Sequence, residues 1–329
     1  MGCDRKRQVN VVYAHEFGDR IRSSAFKYYP GLKDRLGGTI VGVNGREDVD
    51  GLKRRLKELS PDVVLVRGDM SDLYRAPLQL GIPYVVCEND VSSWRKGVAR
   101  RERQMLESAV GVVFTSDSHR EYLAGVVNLP DTLTVWLRPT LASLDFQPMP
   151  KVVGKSLVYA GGLGVWSRRT SPWGYRAYHR VFEAFLEAGW SVHVYPAIPS
   201  GPVTREYTKL GCQVHGTVKA SGVLPQLSQY DAGLHGYAWH DVPARSLEYA
   251  MSCMPNKTWE YLSAGISTVS VNGGVSGDLI ADGGWGVKVS KDLSGLDALE
   301  LPVVTDSMRR SQTIDADLDR LAQFIKAAV

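Results

Sequence analysis

A chain of 329 residues is too long for one ordinary hydrophobic core and points to two domains with a cleft between them. With 44% hydrophobic and 22% charged residues it has the composition of a globular protein, outside the disordered and collagen-like classes. No apolar run reaches the roughly 18 residues that a helical membrane span needs, and a net charge of +4 favours an anionic ligand without specifying nucleic acid.

The amino terminus passes from a basic run directly into a short apolar strand, with no signal-peptide core, so a cytoplasmic protein is expected. Met1-Gly2-Cys3 resembles the start of a myristoylation signal, but Lys6 stands where Ser or Thr is needed. Cys3, Cys87, Cys212 and Cys253 are scattered singly, which predicts reduced thiols and no metal cluster.

In chain order, β-branched runs at 9–15, 38–44, 62–68, 83–89 and 111–116 predict strands, and 48–60 and 96–109 carry helical periodicity between them. The pattern restarts with strands at 156–162, 191–197, 212–216, 232–237 and 267–274, after a Pro-rich linker at 139–155. A helix is predicted over 315–329. Strands alternating with helices give an α/β chain of two doubly wound parallel sheets. Ligands of such sheets collect beyond the carboxyl ends of the strands. That rule selects His15, Glu16 and Asp19; Arg67 and Asp69; Glu88, Asn89 and Asp90; Ser116 and Asp117; Gly161 to Gly164; His215 and Gly216; and Gly236 to Asp241.

Two stretches carry the chemistry. "YAGGLGVWSRRTSPWGYRAYHR" runs from a strand through glycines to Arg168, Arg169 and a helix, a pattern suited to a phosphate. Gly162, Gly164 and Ser167 make an imperfect dinucleotide fingerprint, but the next acids, Glu183 and Glu187, fall inside the helix, against a nicotinamide site. "CMPNKTWEYLSAGISTVSVNGG" places Pro255 in a first helical turn, Gly265 at the helix end and a strand from Ser267. Its helix start, Met254 to Lys257, is a second anion site. Glu260 lies three residues after Lys257, and a solvent-side ion pair is the plainer alternative.

"SLVYAGGLG", "CQVHGTVKASGVLPQLSQYDAGLHGY" and "PNKTWEYLSAGISTVSVNGG" resemble, in chain order, the carboxy-terminal motifs of GT-B glycosyltransferases of the family 4 type. "SPDVVLVRGD", "LGIPYVVCEND" and "RRERQMLESAVGVVFTSDSHREYL" are similar to their first half. The resemblance implies two facing Rossmann-like domains: 1–147 on the acceptor side, 148–311 holding a nucleotide-sugar, and a helix at 312–329 packing back on the body. It implies transfer of a sugar from the donor to an acceptor hydroxyl, retention of configuration, no metal, and no cofactor beyond the co-substrate. Carried over, Glu260 receives the ribose hydroxyls, Arg168 or Arg169 meets the diphosphate, and backbone at His215 and Gly216 edges the base. Gly161, Gly162, Gly164, Arg245, Asn256 and Lys257 complete the expected donor set.

Three positions depart from the family pattern. Ser252 stands where an acid eight residues before Glu260 is usual, Gly162 replaces an arginine, and Ser267 replaces a proline. The D-x-D triplets at Asp48 to Asp50 and Asp315 to Asp317 fall at helix starts, where acids suit the dipole without binding metal. His15, Glu16, Asp19, Glu88 and Asp90 are the expected catalytic set that positions the acceptor hydroxyl. Arg95, Lys96 and Arg100, beside Trp94, form a basic patch for acceptor phosphates of nucleic acid or a membrane surface. The aromatic run at 165–180 keeps open an enzyme that glycosylates hydroxymethylated bases of viral DNA. A nucleotide-sugar epimerase and an inactive nucleotide-sugar-binding relative remain alternatives.

Overall fold

In a computed structural model of the chain, the described residues are 9–15, 29–43, 45, 48–68, 71–89, 91, 93–198 and 200–329. They fall into two compact units, one ending at Leu137 and taking in Ile314–Val329, the other Arg138–Thr313.

The first unit is a parallel sheet of β1 (Val11–His15), β2 (Thr39–Gly42), β3 (Val63–Arg67), β4 (Tyr84–Glu88), β5 (Gly111–Phe114) and β6 (Thr132–Thr134), in the order β2-β1-β3-β4-β5-β6. β3 and β4 are buried at every position. Helices on both faces leave no solvent side, so these strands read as unbroken apolar runs instead of alternating ones. The carboxy-terminal helix Asp315–Ala327 packs on the helix Tyr29–Leu36. Its Leu318, Leu321 and Ile325 join Tyr13, Leu32, Leu65 and Val113 in one core.

The second unit is a parallel sheet of β7 (Ser156–Gly161), β8 (Ser191–Pro196), β9 (Gln213–Val214), β10 (Ala232–Gly236), β11 (Ser267–Val271) and β12 (Gly286–Val289), in the order β12-β11-β10-β7-β8-β9. The chain winds outward from β7 to β9, then returns to β10 and winds the other way. The order therefore reverses between β7 and β10, and their carboxyl ends flank the crevice where such sheets take ligands.

The structure differs from the sequence reading at several points. The helix expected over 96–109 is two helices, Ser93–Lys96 and Arg100–Glu107, because Gly97 takes a left-handed φ of 84° between them. β6 and β12 lay below the sequence signal: each is an edge strand of three or four residues with exposed or half-buried positions. The division falls at 137/138 rather than 147/148 because the segment beyond Leu137 is held by the second unit. There the Met149 N–H donates to Ser228 Oγ (3.0 Å), Val152 N–H to the Gln229 carbonyl (2.8 Å) and Arg309 to the Leu144 carbonyl (3.2 Å). Asp48 caps the helix Val49–Leu59 by accepting from Gly51 N–H, and Asp315 and Asp317 open the last helix. Among the described residues Cys87 and Cys212 are buried and Cys253 half-buried, none of them in a disulfide. No helix of the described residues is long and apolar enough to cross a membrane.

One close approach ties the helix Asn256–Ser263 to the sheet. A Cβ on Gly233 of β10 would stand 2.2 Å from the Tyr261 ring, and the Tyr261 hydroxyl accepts from the Ala160 N–H of β7 (3.1 Å). Gly233→Ala is expected to lower stability by about 1–3 kcal/mol through overpacking. Urea unfolding with an unchanged m-value would register the loss, and wild-type stability would disprove the contact.

Candidate functional site

Lys257 and Tyr261 are one helical turn apart on the same face, so the contact that presses Tyr261 onto the sheet also turns Lys257 inward. Lys257 is only 8% exposed, which replaces the expected solvent-side pair with a buried amine. Its Nζ lies 4.3 Å from the ring centroid of Tyr159, 5.5 Å from that of Tyr178 and 5.6 Å from that of Tyr237. Its one hydrogen bond among the described residues runs from Nζ to the Tyr178 hydroxyl (3.4 Å). Tyr178 in turn donates to the Gly236 carbonyl (2.7 Å) and Tyr159 to the Gly162 carbonyl (2.8 Å), at the exits of β10 and β7. Burial, followed by the Arg176 charge, pushes the Lys257 amine down to about 7, against a smaller opposing pull from Glu260.

Arg176 occupies the space beside the glycine loop. A Cβ on Gly162 would stand 2.9 Å from a terminal guanidinium nitrogen of Arg176 and 3.2 Å from Cζ. The missing side chain at 162 is thus what admits this guanidinium. Gly164 N–H donates to the Arg176 carbonyl (2.8 Å), and the guanidinium also covers the Trp173 ring at 4.8 Å and the Tyr175 ring at 5.4 Å. A guanidinium and a titratable amine therefore meet at the point where the strand order reverses.

Beneath them, His235 of β10 is fully buried. Its Nδ1 is 3.1 Å from Ser270 Oγ of β11 and its Nε2 is 3.0 Å from Ser276 Oγ of the helix Gly274–Asp282. Ser276 Oγ also donates to the Gly273 carbonyl (3.0 Å), so His235 donates from Nε2 and accepts at Nδ1. Burial and the nearby Lys257 push this imidazole well below its ordinary range. The three side chains fix the turn Asn272-Gly273-Gly274. At the start of the Lys257 helix, Asn256 Oδ1 is buried with no hydrogen-bond partner among the described residues, an acceptor left open where ligands collect.

At the exits of β8 and β9 stands an aromatic stack. His215 lies parallel to Tyr195 (4.4 Å, 12°) and to His193 (5.3 Å, 6°), with His193 Nδ1 3.0 Å from His215 Nε2. The Tyr195 and Tyr230 hydroxyls are 2.7 Å apart, and Gln226 donates to Tyr195 (2.8 Å). Gly216 follows with open space around it.

The structure thus gathers Gly161, Gly162, Gly164, Lys257 and Asn256 in one place, with half-buried Glu260 one turn along the helix from Lys257. Arg168 is exposed. Arg169 is engaged with Asp241 (2.8 Å) and lies over the Trp166 ring at 4.8 Å. Arg245 is exposed on the helix Ala244–Ser252. Ser252 is buried and donates to the Tyr249 carbonyl (2.8 Å). In the first unit, Glu88 ends β4 at 1% exposure, its carboxylate where a Cβ on Gly68 would fall. The His15 side chain, Glu16, Asp19 and Asp90 lie outside the described residues. Half-buried Arg95 and exposed Lys96 and Arg100 sit on two separate short helices, and Trp94 stacks on Tyr122 at 4.5 Å as part of the packing.

Tyr237 falls within the strand exit at 236–241 that the sequence marked, whereas Arg176, Tyr159, Tyr178 and His235 were not singled out. Tyr159 and His235 lie on strands that enter the crevice, so the strand-exit rule widened by two residues would have reached them. Arg176 had no such signal, because its approach to Gly162 depends on the path of the whole 162–178 loop.

No family model and no curated protein matches the chain. Solved structures match its full length at low identity. Sucrose-phosphate synthase from Thermosynechococcus elongatus aligns with a TM-score of 0.66 at 11% identity, over 98% of this chain and 100% of that one. AviGT4, a glycosyltransferase involved in avilamycin A biosynthesis, gives 0.59 at 13% identity over 97% and 98%. A putative UDP-N-acetylglucosamine 2-epimerase from Listeria monocytogenes gives 0.58 at 12% over 97% and 96%. At this identity the likeness is one of fold, and it is the fold of two Rossmann-like domains, GT-B, that the sequence motifs resemble.

The paired histidines predict an acid-sensitive second unit. Burial and the adjacent His215 push His193 down to about 4, from an ordinary value of 6.5. Below pH 6.5 the unfolded chain binds the proton that the folded chain refuses, so this pair's contribution to stability falls as pH drops from 6.5 to about 4. In pH-dependent denaturation His193→Gln should show a shallower loss over that window. A slope equal to wild type would exclude the pair as its source.

Proposed function

We propose that the chain is a glycosyltransferase that moves a sugar from a nucleotide-diphosphate sugar to an acceptor hydroxyl, with retention of configuration and without a metal. The observation that carries this reading is the convergence of Arg176 and Lys257 on the glycine loop between β7 and β10. Departure of a nucleoside diphosphate needs its growing negative charge stabilised by preorganised groups, and two cations at one loop supply that. A bidentate guanidinium suits phosphate oxygens. Glu260, half-buried one turn along the helix from Lys257, would accept from the two ribose hydroxyls, and the open backbone at Gly216 suits the edge of a base. The arginine absent at 162 is thereby replaced from elsewhere in the chain, by Arg176. With Ser252 bonded into its own helix, no carboxylate at that position meets the sugar, and the open Asn256 Oδ1 is the acceptor that would.

A second reading is favoured by the shared fold with the putative 2-epimerase. An epimerase converts its sugar-nucleotide with no acceptor present, whereas a transferase turns over only when a hydroxyl compound is supplied. The acceptor panel for that comparison includes sugars, sugar phosphates, lipid-linked sugars and hydroxymethylated DNA.

Thermal unfolding against UDP, GDP, ADP, TDP and CMP tests the donor site. One nucleotide at 100 times its Kd should add about 2.7 kcal/mol. Arg176→Gln or Glu260→Ala should remove about 1.5–3 kcal/mol of that binding, the range for hydrogen bonds to charged groups. Absence of a shift with all five would overturn the reading.

A further inference from the structure

Lys257 is buried where a permanent cation is poorly accommodated. From β7 it faces Tyr159; from the loop that follows, Arg176 and Tyr178; from β10 and its exit, His235 and Tyr237; from its own helix, Glu260. Beyond Tyr237 come Tyr175 and Cys253. Of these groups one is a guanidinium, always charged, and one a carboxylate, whose pull on the amine is weaker than the combined effect of burial and Arg176. Among the described residues the amine has one hydrogen-bond acceptor, the Tyr178 hydroxyl, where an ammonium can donate three.

We propose that Lys257 takes up a proton from solvent as the donor's diphosphate binds above neutrality, where the tyrosine cage holds a mostly uncharged amine until a ligand bearing two negative charges turns it into a cation. The proposal rests on reading this crevice as a nucleotide-sugar site, and it assigns that site a means of rejecting ligands with too little charge. A diphosphate supplies both the missing hydrogen-bond acceptors and a field of the sign that favours the ammonium. Near neutrality the neighbours do not compete for this proton. Burial raises the Tyr159 phenol to about 12 and holds Tyr178 and Tyr237 well above their ordinary range, so all three stay protonated. His235 is held neutral by burial between Ser270 and Ser276. Lys257 lies between these extremes, at about 7.

Isothermal titration calorimetry of the full chain with UDP-glucose, GDP-mannose, ADP-glucose and TDP-glucose, in phosphate and in Tris, counts the protons exchanged. The diphosphate of these probes is esterified at both ends and does not itself titrate near neutrality. At pH 8 about nine in ten free amines are uncharged, so binding should take up close to one proton, and at pH 6 close to none. The Kd should rise about tenfold from pH 8 to pH 9. Lys257→Met, with folding verified by circular dichroism, should bind more weakly with no uptake. Binding by the wild-type chain at pH 8 without proton exchange overturns the proposal and leaves the donor site standing, and the wild-type measurement alone decides this. Uptake that persists in Lys257→Met also overturns it. Failure of all four sugar-nucleotides to bind removes the donor reading and this proposal together.

Discussion

The second unit depends on the enclosure of one amine by aromatic rings. Placing Lys257 against three tyrosines, with no ion pair to its amine among the described residues, is unfavourable in a site left empty. The surrounding contacts hold it there nonetheless. Tyr261 is seated against Gly233 and bonded to β7, and the helix that carries Tyr261 also carries Lys257. Tyr178 and Tyr159 are each tied by their hydroxyls to a strand-exit carbonyl. The amine therefore cannot swing to solvent without breaking packing that the sheet requires. A polar group held unsatisfied by a rigid frame is what a binding site for its complement looks like.

Topology explains why that frame stands where it does. The strand order reverses between β7 and β10, and in such sheets the loops leaving the two strands turn to opposite sides and open a crevice at their carboxyl ends. Glycines line it because backbone must pass close to other groups. Gly162 makes room for a guanidinium, and Gly236, with a φ of 106°, would bring a Cβ to 1.8 Å from the Val271 carbonyl. The His235 clip links β10, β11 and the next helix in one hydrogen-bonded set. With its imidazole held neutral by burial, it adds no charge beneath Arg176 and Lys257.

Cation placement shows how a family resemblance and a structure complement each other. The resemblance points to Arg168 or Arg169 at the diphosphate. In the structure, Arg169 is held by Asp241 and Trp166, and Arg176 fills the place left by the absent side chain at 162. A position can thus be vacated in sequence and its charge restored from fourteen residues farther along the chain. Spacing within a motif cannot reveal that, because the two residues meet only through the fold of the loop between them.

By itself the sequence determined the α/β class, the restart of the strand pattern after the linker, ten of the twelve strands and the helix that ends at Gly265. These follow from periodicity, β-branching and turn residues, which act over a few neighbours. It also marked Gly161, Gly162, Gly164, Asn256, Lys257 and Glu260, since strand exits and helix starts are local features. Tertiary structure alone decided that Lys257 faces inward and not toward solvent, that Arg176 meets the glycine loop, that His235 clips two elements together, and that the short edge strands β6 and β12 complete their sheets. Each of these depends on groups far apart in the chain being brought within a few ångströms. Burial, which sets both the direction of a helix face and the charge of an amine, is a property of that assembly and is not carried by any local segment.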